Sequence, residues 1–254
     1  MELAAKGANP NYVHHKDDIN KSNTPLIVAA IQGHAKVAAM LLDAGALVDV
    51  PSQTGCTPLI GAAQGGHIAV MRVLIQHGAH LEHVDVFGFT PVLMAGQLCH
   101  SAALRVLAEA GADLRVAWTP GLQFELDDAS AGQKKQAEEF RGCNFLALGA
   151  GMHGIGGSLG KAKLCDLIET CLDLGMCGAD LDGVAACRPL IQLIEPSVPM
   201  DARSEKLALA LLESWAAVVV GAAHEHAILS DDGADASSAA QAHAKTKDRP
   251  IVFV

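Results

Sequence analysis

The sequence predicts an all-α chain built from repeated helix pairs, each unit packing only on its neighbours to make a solenoid. Three observations carry this. The tripeptides Thr24-Pro25-Leu26, Thr57-Pro58-Leu59 and Thr90-Pro91-Val92 recur at 33-residue intervals. His34, His67 and His100 keep the same step, as do Gly45-Ala46, Gly78-Ala79 and Gly111-Ala112, with apolar Val37, Val70 and Ala103 in phase. Half of the 254 residues are hydrophobic yet only 4% are aromatic. Apolar content made mainly of Ala, Leu and Val favours closely packed small helices over a sheet sandwich.

Local chemistry orders each unit from its start to its stop. Thr before Pro caps a helix whose first turn the Pro begins, because Pro has no N–H to leave unsatisfied there. Gly with His then breaks the chain before a second helix. Leu41-Leu42 and Leu74-Ile75 place apolar pairs where that second helix must pack. The Gly-Ala that follows ends it, since Gly tolerates positive φ.

On these residues the chain resembles the ankyrin repeat family, which shares the 33-residue period and a Thr-Pro-Leu-His signature. The resemblance implies a helix-turn-helix solenoid with short β-hairpin fingers. One departure is that Ile27, Ile60 and Leu93 stand where the family's His follows Thr-Pro-Leu. Apolar packing must replace the polar network expected there.

Leu3 to Asn11 looks like the closing half of an earlier repeat, joined to Thr24 through a five-residue loop insertion. A chain that begins inside a repeat is either a fragment of a longer array or a truncated product. Past Arg115 the period lapses, then Gly142-Cys143-Asn144-Phe145-Leu146 echoes Gly55-Cys56-Thr57-Pro58-Leu59, and Gly178-Ala179 echoes Gly111-Ala112. Arg188-Pro189-Leu190 could open one more unit, closed by an apolar helix from Ser204 to about Val220. The expected organisation is therefore a partial repeat at 1–20, three clear repeats at 21–115 and an insertion loop at 116–141. Degenerate repeats with a terminal helix cap follow at 142–222, and a disordered tail rich in Ala, Ser and Asp at 223–254.

Composition excludes several roles. The net charge is −10, and 7 basic and 9 acidic residues lie up to Arg115 against 11 and 19 beyond it, so the acidity sits in the second half. No Lys/Arg run compensates, which argues against nucleic acid as a partner. Seven irregularly spaced cysteines and an N-terminus without an apolar core point to a reducing compartment, cytoplasmic or nuclear. The longest apolar stretch, Leu207 to Ala223, falls short of a spanning length and carries Glu213, which makes it too short and too polar to favour a membrane span.

Motifs that could carry chemistry read as structure. Gly149-Ala150-Gly151-Met152-His153-Gly154 is a literal G-x-G-x-x-G and, with Gly160-Lys161, marks 149–161 as the segment a nucleotide-binding enzyme would use. It aligns with the first helix and turn of a repeat, and no alternating strands surround it. Lys161 lacks the Ser or Thr and the upstream Gly of a phosphate loop. His77, His80 and His83 straddle a Gly-Ala stop and share no helical face, and Cys165, Cys171, Cys177 and Cys187 form no Cys-x-x-Cys pair. No catalytic residue, cofactor or metal ligand is expected, and the chain is read as a non-enzyme.

The resemblance implies partner-protein recognition through the concave finger surface. Carried residue by residue, the family's contact positions fall on Asn20, Lys21, Asn23, Ile31 and Gln32, then on Gln53, Thr54, Cys56 and Gln64, then on Val86, Phe87, Phe89, Gln97 and Leu98. The expected site comprises Gln53, Thr54, Gln64, Val86, Phe87, Phe89, Gln97 and Leu98. Phe87 and Phe89 would anchor it from the tip of the third finger, with Leu98 approaching from the adjacent helix end. The alternative is that the two rings pack beneath the 116–141 insertion. Two other roles are an adaptor using the apolar 207–223 helix at a membrane and one in which Val252-Phe253-Val254 adds as a strand to a PDZ-like domain.

Overall fold

In the computed structural model of the chain the described residues are 9–12, 23–121, 134, 141–146, 148, 158–176 and 202–213. Among them run α1 (Pro25–Ile31), α2 (Ala35–Asp43), α3 (Pro58–Gly65), α4 (Ile68–Gln76), α5 (Pro91–Gln97), α6 (Ser101–Glu109), α7 (Ser158–Asp173) and a helix over 202–213, α8. The fold is an all-α repeat solenoid. No strand occurs among the described residues; the fingers are tight hairpin turns, with one isolated antiparallel bridge between Ala117 and Asn144.

The threonines act as the sequence predicts. Oγ1 of Thr24, Thr57 and Thr90 accepts the N–H of Ile27, Ile60 and Leu93 at 3.3, 3.4 and 3.2 Å, and Pro occupies the first helical position each time. Ile27, Ile60 and Leu93 are themselves fully buried, so apolar packing does replace the missing polar network. Each second helix ends on a left-handed glycine whose N–H reaches back three residues: Gly45 to Leu42 O, Gly78 to Ile75 O and Gly111 to Ala108 O.

Helices α1, α3 and α5 form an inner layer, and α2, α4, α6 and α7 an outer one, with the core between. The inner helices are Ala- and Gly-rich, which lets their backbones approach. Histidines stitch the units together: His67 Nε2 bonds Ile31 O at 2.9 Å and His100 Nε2 bonds Gln64 O at 3.0 Å, each reaching the preceding inner helix. Gly33 makes room for this, because a Cβ there would sit 2.6 Å from the His67 ring at a backbone φ of +76°.

A fourth unit continues the stack. In the second and third fingers Ser52 N donates to Cys56 O and Asp85 N to Phe89 O, while Gly55 N and Gly88 N donate to Ser52 O and Asp85 O. Trp118, one repeat period beyond Asp85, donates to Cys143 O, and Gly142 N donates back to Trp118 O. Trp118, Gly142 and Cys143 thus repeat the finger geometry across a long excursion of chain, and Asn144 stands in the capping position of Thr57 and Thr90. Phe145 follows, fully buried in a notch that Gly96 leaves in α5. The outer helix of this unit, α7, buries Leu167, Ile168 and Cys171 and ends at Gly175, whose N–H bonds Leu172 O. That corrects the expected stop at Gly178-Ala179: Gly175 has the left-handed φ of +71° and the Cys171–Met176 bond that closes the turn.

α8 meets α7 where Cys165 Sγ and Ser204 Oγ lie 3.7 Å apart and where Arg203 clamps Asp166 and Glu169 at 2.6 and 2.7 Å, and it buries Leu207, Ala208 and Leu211. Arg105 on α6 pairs with Asp173 at 2.6 Å. These pairs are exposed and contribute orientation more than stability. No helix among the described residues is long and apolar enough to cross a membrane. The segments 1–8, 149–157 and 214–254, with the glycine-rich motif and the C-terminal residues, lie outside the described residues, as do Asn20, Lys21, Cys177 and Cys187.

Candidate finger-tip recognition site

The fingers are held by side chains acting on the backbone. In the third, Asp85 Oδ1 accepts the N–H groups of Phe87 and Phe89 at 2.9 and 2.8 Å, fixing the turn that Gly88 completes at φ +85°. In the second, Ser52 Oγ takes the N–H of Cys56 at 3.1 Å. Adjacent fingers are tied by Val86 N to Thr54 O at 3.0 Å, and by His83 Nε2 to Gly55 O at 3.0 Å. Their tips therefore form one surface rather than independent loops.

Between them lies an open groove of about 450 Å³, lined by Pro51 and Gly55 of the second finger, by His83 to Val86 of the third, and by Pro120 and Gly121 beyond Trp118. Val84 is 53% exposed at its edge. The only carboxylate in the lining, Asp85, is turned into its own finger, and the imidazole of His83 is held by Gly55 O, so the groove is mainly apolar.

The expected site residues divide. Val86 lines the groove and, half-buried, is joined through its N–H to the half-buried Thr54, while Gln53 beside Thr54 is exposed. Gln64 is exposed at the far end of α3, and Gln97 and Leu98 are half-buried at the far end of α5. The expectation that Leu98 approaches the phenylalanines is corrected. The whole of α5 lies between them, about 10 Å of helix.

The aromatic anchor is corrected too. Phe89 is only 7% exposed, its ring 5.7 Å from that of buried Trp118, and Phe87 is half-buried against the core. Trp118 Nε1 donates to Phe87 O at 3.0 Å, and Thr119 O lies against Gly88, where no Cβ would fit. The chain entering the fourth finger covers the third. Sequence reasoning passed over Trp118, although it stands one repeat period beyond Asp85 and two beyond Ser52, which was the available signal.

Titration follows burial. Burial pushes the Asp85 carboxyl above its usual range, against the bonds from Phe89 and Phe87 that pull it down. Burial, helped by the Asp85 charge, pushes the Cys56 thiol up to about 11, and burial takes Cys171 to about 12, so both are poor nucleophiles. The His77, His80 and His83 trio gathers nothing: His77 Nδ1 bonds Val73 O of its own helix, His83 is held by Gly55, and the His80 backbone is held by Asp49. Among the described residues no three His, Cys, Asp or Glu side chains group for a metal.

Asp85 gives a pH-dependent expectation. A carboxyl raised in the fold and ordinary when unfolded favours the folded state fully below about pH 4, and that contribution is lost as pH rises through its folded value. Asp85→Asn keeps an oxygen acceptor for both N–H groups and removes the charge. Its melting temperature relative to the parent chain should therefore rise between pH 4 and pH 7, as read by circular dichroism. A relative fall over that range would mean that the charged bonds to Phe87 and Phe89 outweigh desolvation.

A regular stack of capped helix pairs with finger turns on one edge defines a helical-repeat solenoid. The ankyrin repeat model matches residues 21–53, and a model of three ankyrin repeats matches residues 45–117. Residues 21–117 therefore carry ankyrin repeats. Ankyrin repeats are generally protein–protein interaction modules and typically non-enzymatic scaffolds. No curated protein matches the chain.

Proposed function

We propose that this protein is an interaction scaffold that binds a partner protein on the concave finger side, centred on the groove between the second and third fingers. The observation that supports this is the groove itself: a pre-formed apolar surface whose finger bonds remove the ordering cost that a flexible loop would incur on binding. Val84, Val86, Pro51 and Gln53 make the contact edge, with Gln64, Gln97 and Leu98 along the inner helices as a secondary strip. Phe87 and Phe89 act as its support rather than its anchor. The low charge of the repeat region fits a contact that depends weakly on salt. A reducing compartment, cytoplasmic or nuclear, belongs to the same proposal, and so does the reading of 116–141 as an insertion loop, with Trp118 taken into the fourth finger.

The test begins by identifying a partner with the full chain and then titrating purified components. Val84→Glu, at an exposed edge position, should weaken binding at least tenfold, about 1.4 kcal/mol, without changing the melting temperature. Arg72→Glu on the outer layer serves as the control. Binding that survives Val84→Glu and fails with Arg72→Glu would place the contact on the opposite side of the solenoid.

A further inference from the structure

The sequence holds an apolar segment that no role so far absorbs. From Asp231 to Pro250 there is no Ile, Leu, Val, Met, Phe or Trp, and then Ile251, Val252, Phe253 and Val254 follow without a break. A polar spacer ahead of a short run of β-branched and aromatic residues is the pattern of a tethered peptide ligand. The spacer has no large apolar side chains with which to build a core, and the run is too short to bury itself. Lys245, Lys247 and Arg249 stand just ahead of the run, with Asp248 the one acid among them.

The finger groove suits this segment in surface, size and charge. Pro51, Val86 and Pro120 line it beside the exposed Val84, so it receives β-branched and aromatic side chains. Its volume of about 450 Å³ is that of a pocket for a small ligand, enough for a few side chains and not for a folded element. Its surroundings are acidic. Asp49 stands two residues before Pro51 and Glu82 directly before His83, both half-buried, and no Lys or Arg lies between Lys36 and Arg72 or between Arg72 and Arg105. Basic residues leading an apolar run are therefore drawn to this rim. The tether is long enough: the described structure ends at Glu213 on α8, and helix layers spaced about 8–10 Å put α8 within about 40 Å of the groove. About 40 residues join Glu213 to the apolar run, for which a typical end-to-end distance is about 35 Å and the extended limit is above about 100 Å.

We infer that Ile251–Val254 seats in the groove between the second and third fingers of its own chain, with Lys245, Lys247 and Arg249 toward Asp49 and Glu82, and so competes with a partner protein for that surface. The competition rests on the reading of the groove as the partner site, whereas the seating does not. Tethering supplies the segment at an effective concentration of about 1 mM, so a contact that is weak between separate molecules is held within one. A seated segment lowers the apparent affinity of the partner in proportion to the fraction of chains whose groove it fills.

The seating is tested in the full chain with Phe253 replaced by p-benzoylphenylalanine. Irradiation should cross-link that position, within one chain, to residues 51–55 or 83–86, as located by mass spectrometry. Val84→Glu should cut the yield about tenfold or more. Cross-links that fall elsewhere, that join two chains, or that persist with Val84→Glu would overturn the seating. The competition is read with a fluorescein-labelled peptide of residues 245–254. It should bind the full chain carrying Phe253→Glu about tenfold more tightly than the parent chain, whose own segment holds the groove. Equal affinity for the two chains would overturn the proposal, as would no binding to the Phe253→Glu chain at about 1 mM peptide. A groove filled by the residues that follow Gly121 would give the second of these results. A partner whose affinity is unchanged by Val84→Glu would overturn the partner site alone, because the cross-links are made without it.

Discussion

Replacing Phe145 by alanine is expected to destabilise the protein by about 3–5 kcal/mol, the range for deleting a buried aromatic ring. Phe145 has no exposed surface, and its side chain fills the notch at Gly96 on the preceding inner helix, where a Cβ would collide with it. The residue therefore joins the fourth unit to the third, and its loss empties a volume that the short helix α5 cannot close by moving. Urea denaturation of the full chain measures the change, and hydrogen exchange locates it. Protection should fall first in α7 and at Trp118, while α1 and α2 keep theirs. A cost below about 1 kcal/mol would show that the fourth unit does not pack on the third.

Leu74→Ala carries the next largest expectation, about 2–5 kcal/mol, because it opens a cavity in α4, which lies in the outer layer between α2 and α6. Leu74 is fully buried, whereas Leu41, at the same position one unit earlier, is only partly covered. The same substitution at Leu41 should cost less, and the difference between the two measures what a preceding unit contributes. Leu74→Met, which keeps the volume, should cost under about 1.5 kcal/mol. Equal losses at both leucines would mean that stability does not depend on stacking from both sides.

The candidate site was legible only in part, and particular residues show why. The finger glycines Gly55 and Gly88 and the threonine caps follow from local pattern, since each acts on backbone within a few residues of itself, whereas the finger positions Gln53, Thr54 and Val86 came only from the family resemblance. Phe89 did not. Two phenylalanines around a turn glycine read either as an exposed anchor or as rings packed beneath residues 116–141, and only the placement of Trp118, which comes after the whole of α5 and α6, decides for the second. Leu98 failed for a related reason: nearness in sequence to the third finger is undone by the length of α5. Val84, Pro51 and Pro120 gave no sequence signal, because a groove belongs to three fingers at once.

What the sequence alone determined is the period, and, for the three clear units, the inner and outer helix with their caps and stops. These rest on hydrogen bonds between near neighbours in the chain, as from Ile60 N–H to Thr57 Oγ1 or from Gly45 N–H back to Leu42 O, which any such segment can make before it meets another. Only the tertiary structure decided which apolar residues are core and which are surface. Val37 and Val70 are the same residue at the same step of the repeat, yet one is exposed and the other fully buried, because burial is set by the neighbouring unit and not by the segment itself. The same holds for the fourth unit. Trp118 and Cys143 each stand at a repeat-related position, but that the two pair across the residues between them is a tertiary fact, completed by the packing of Phe145 at Gly96.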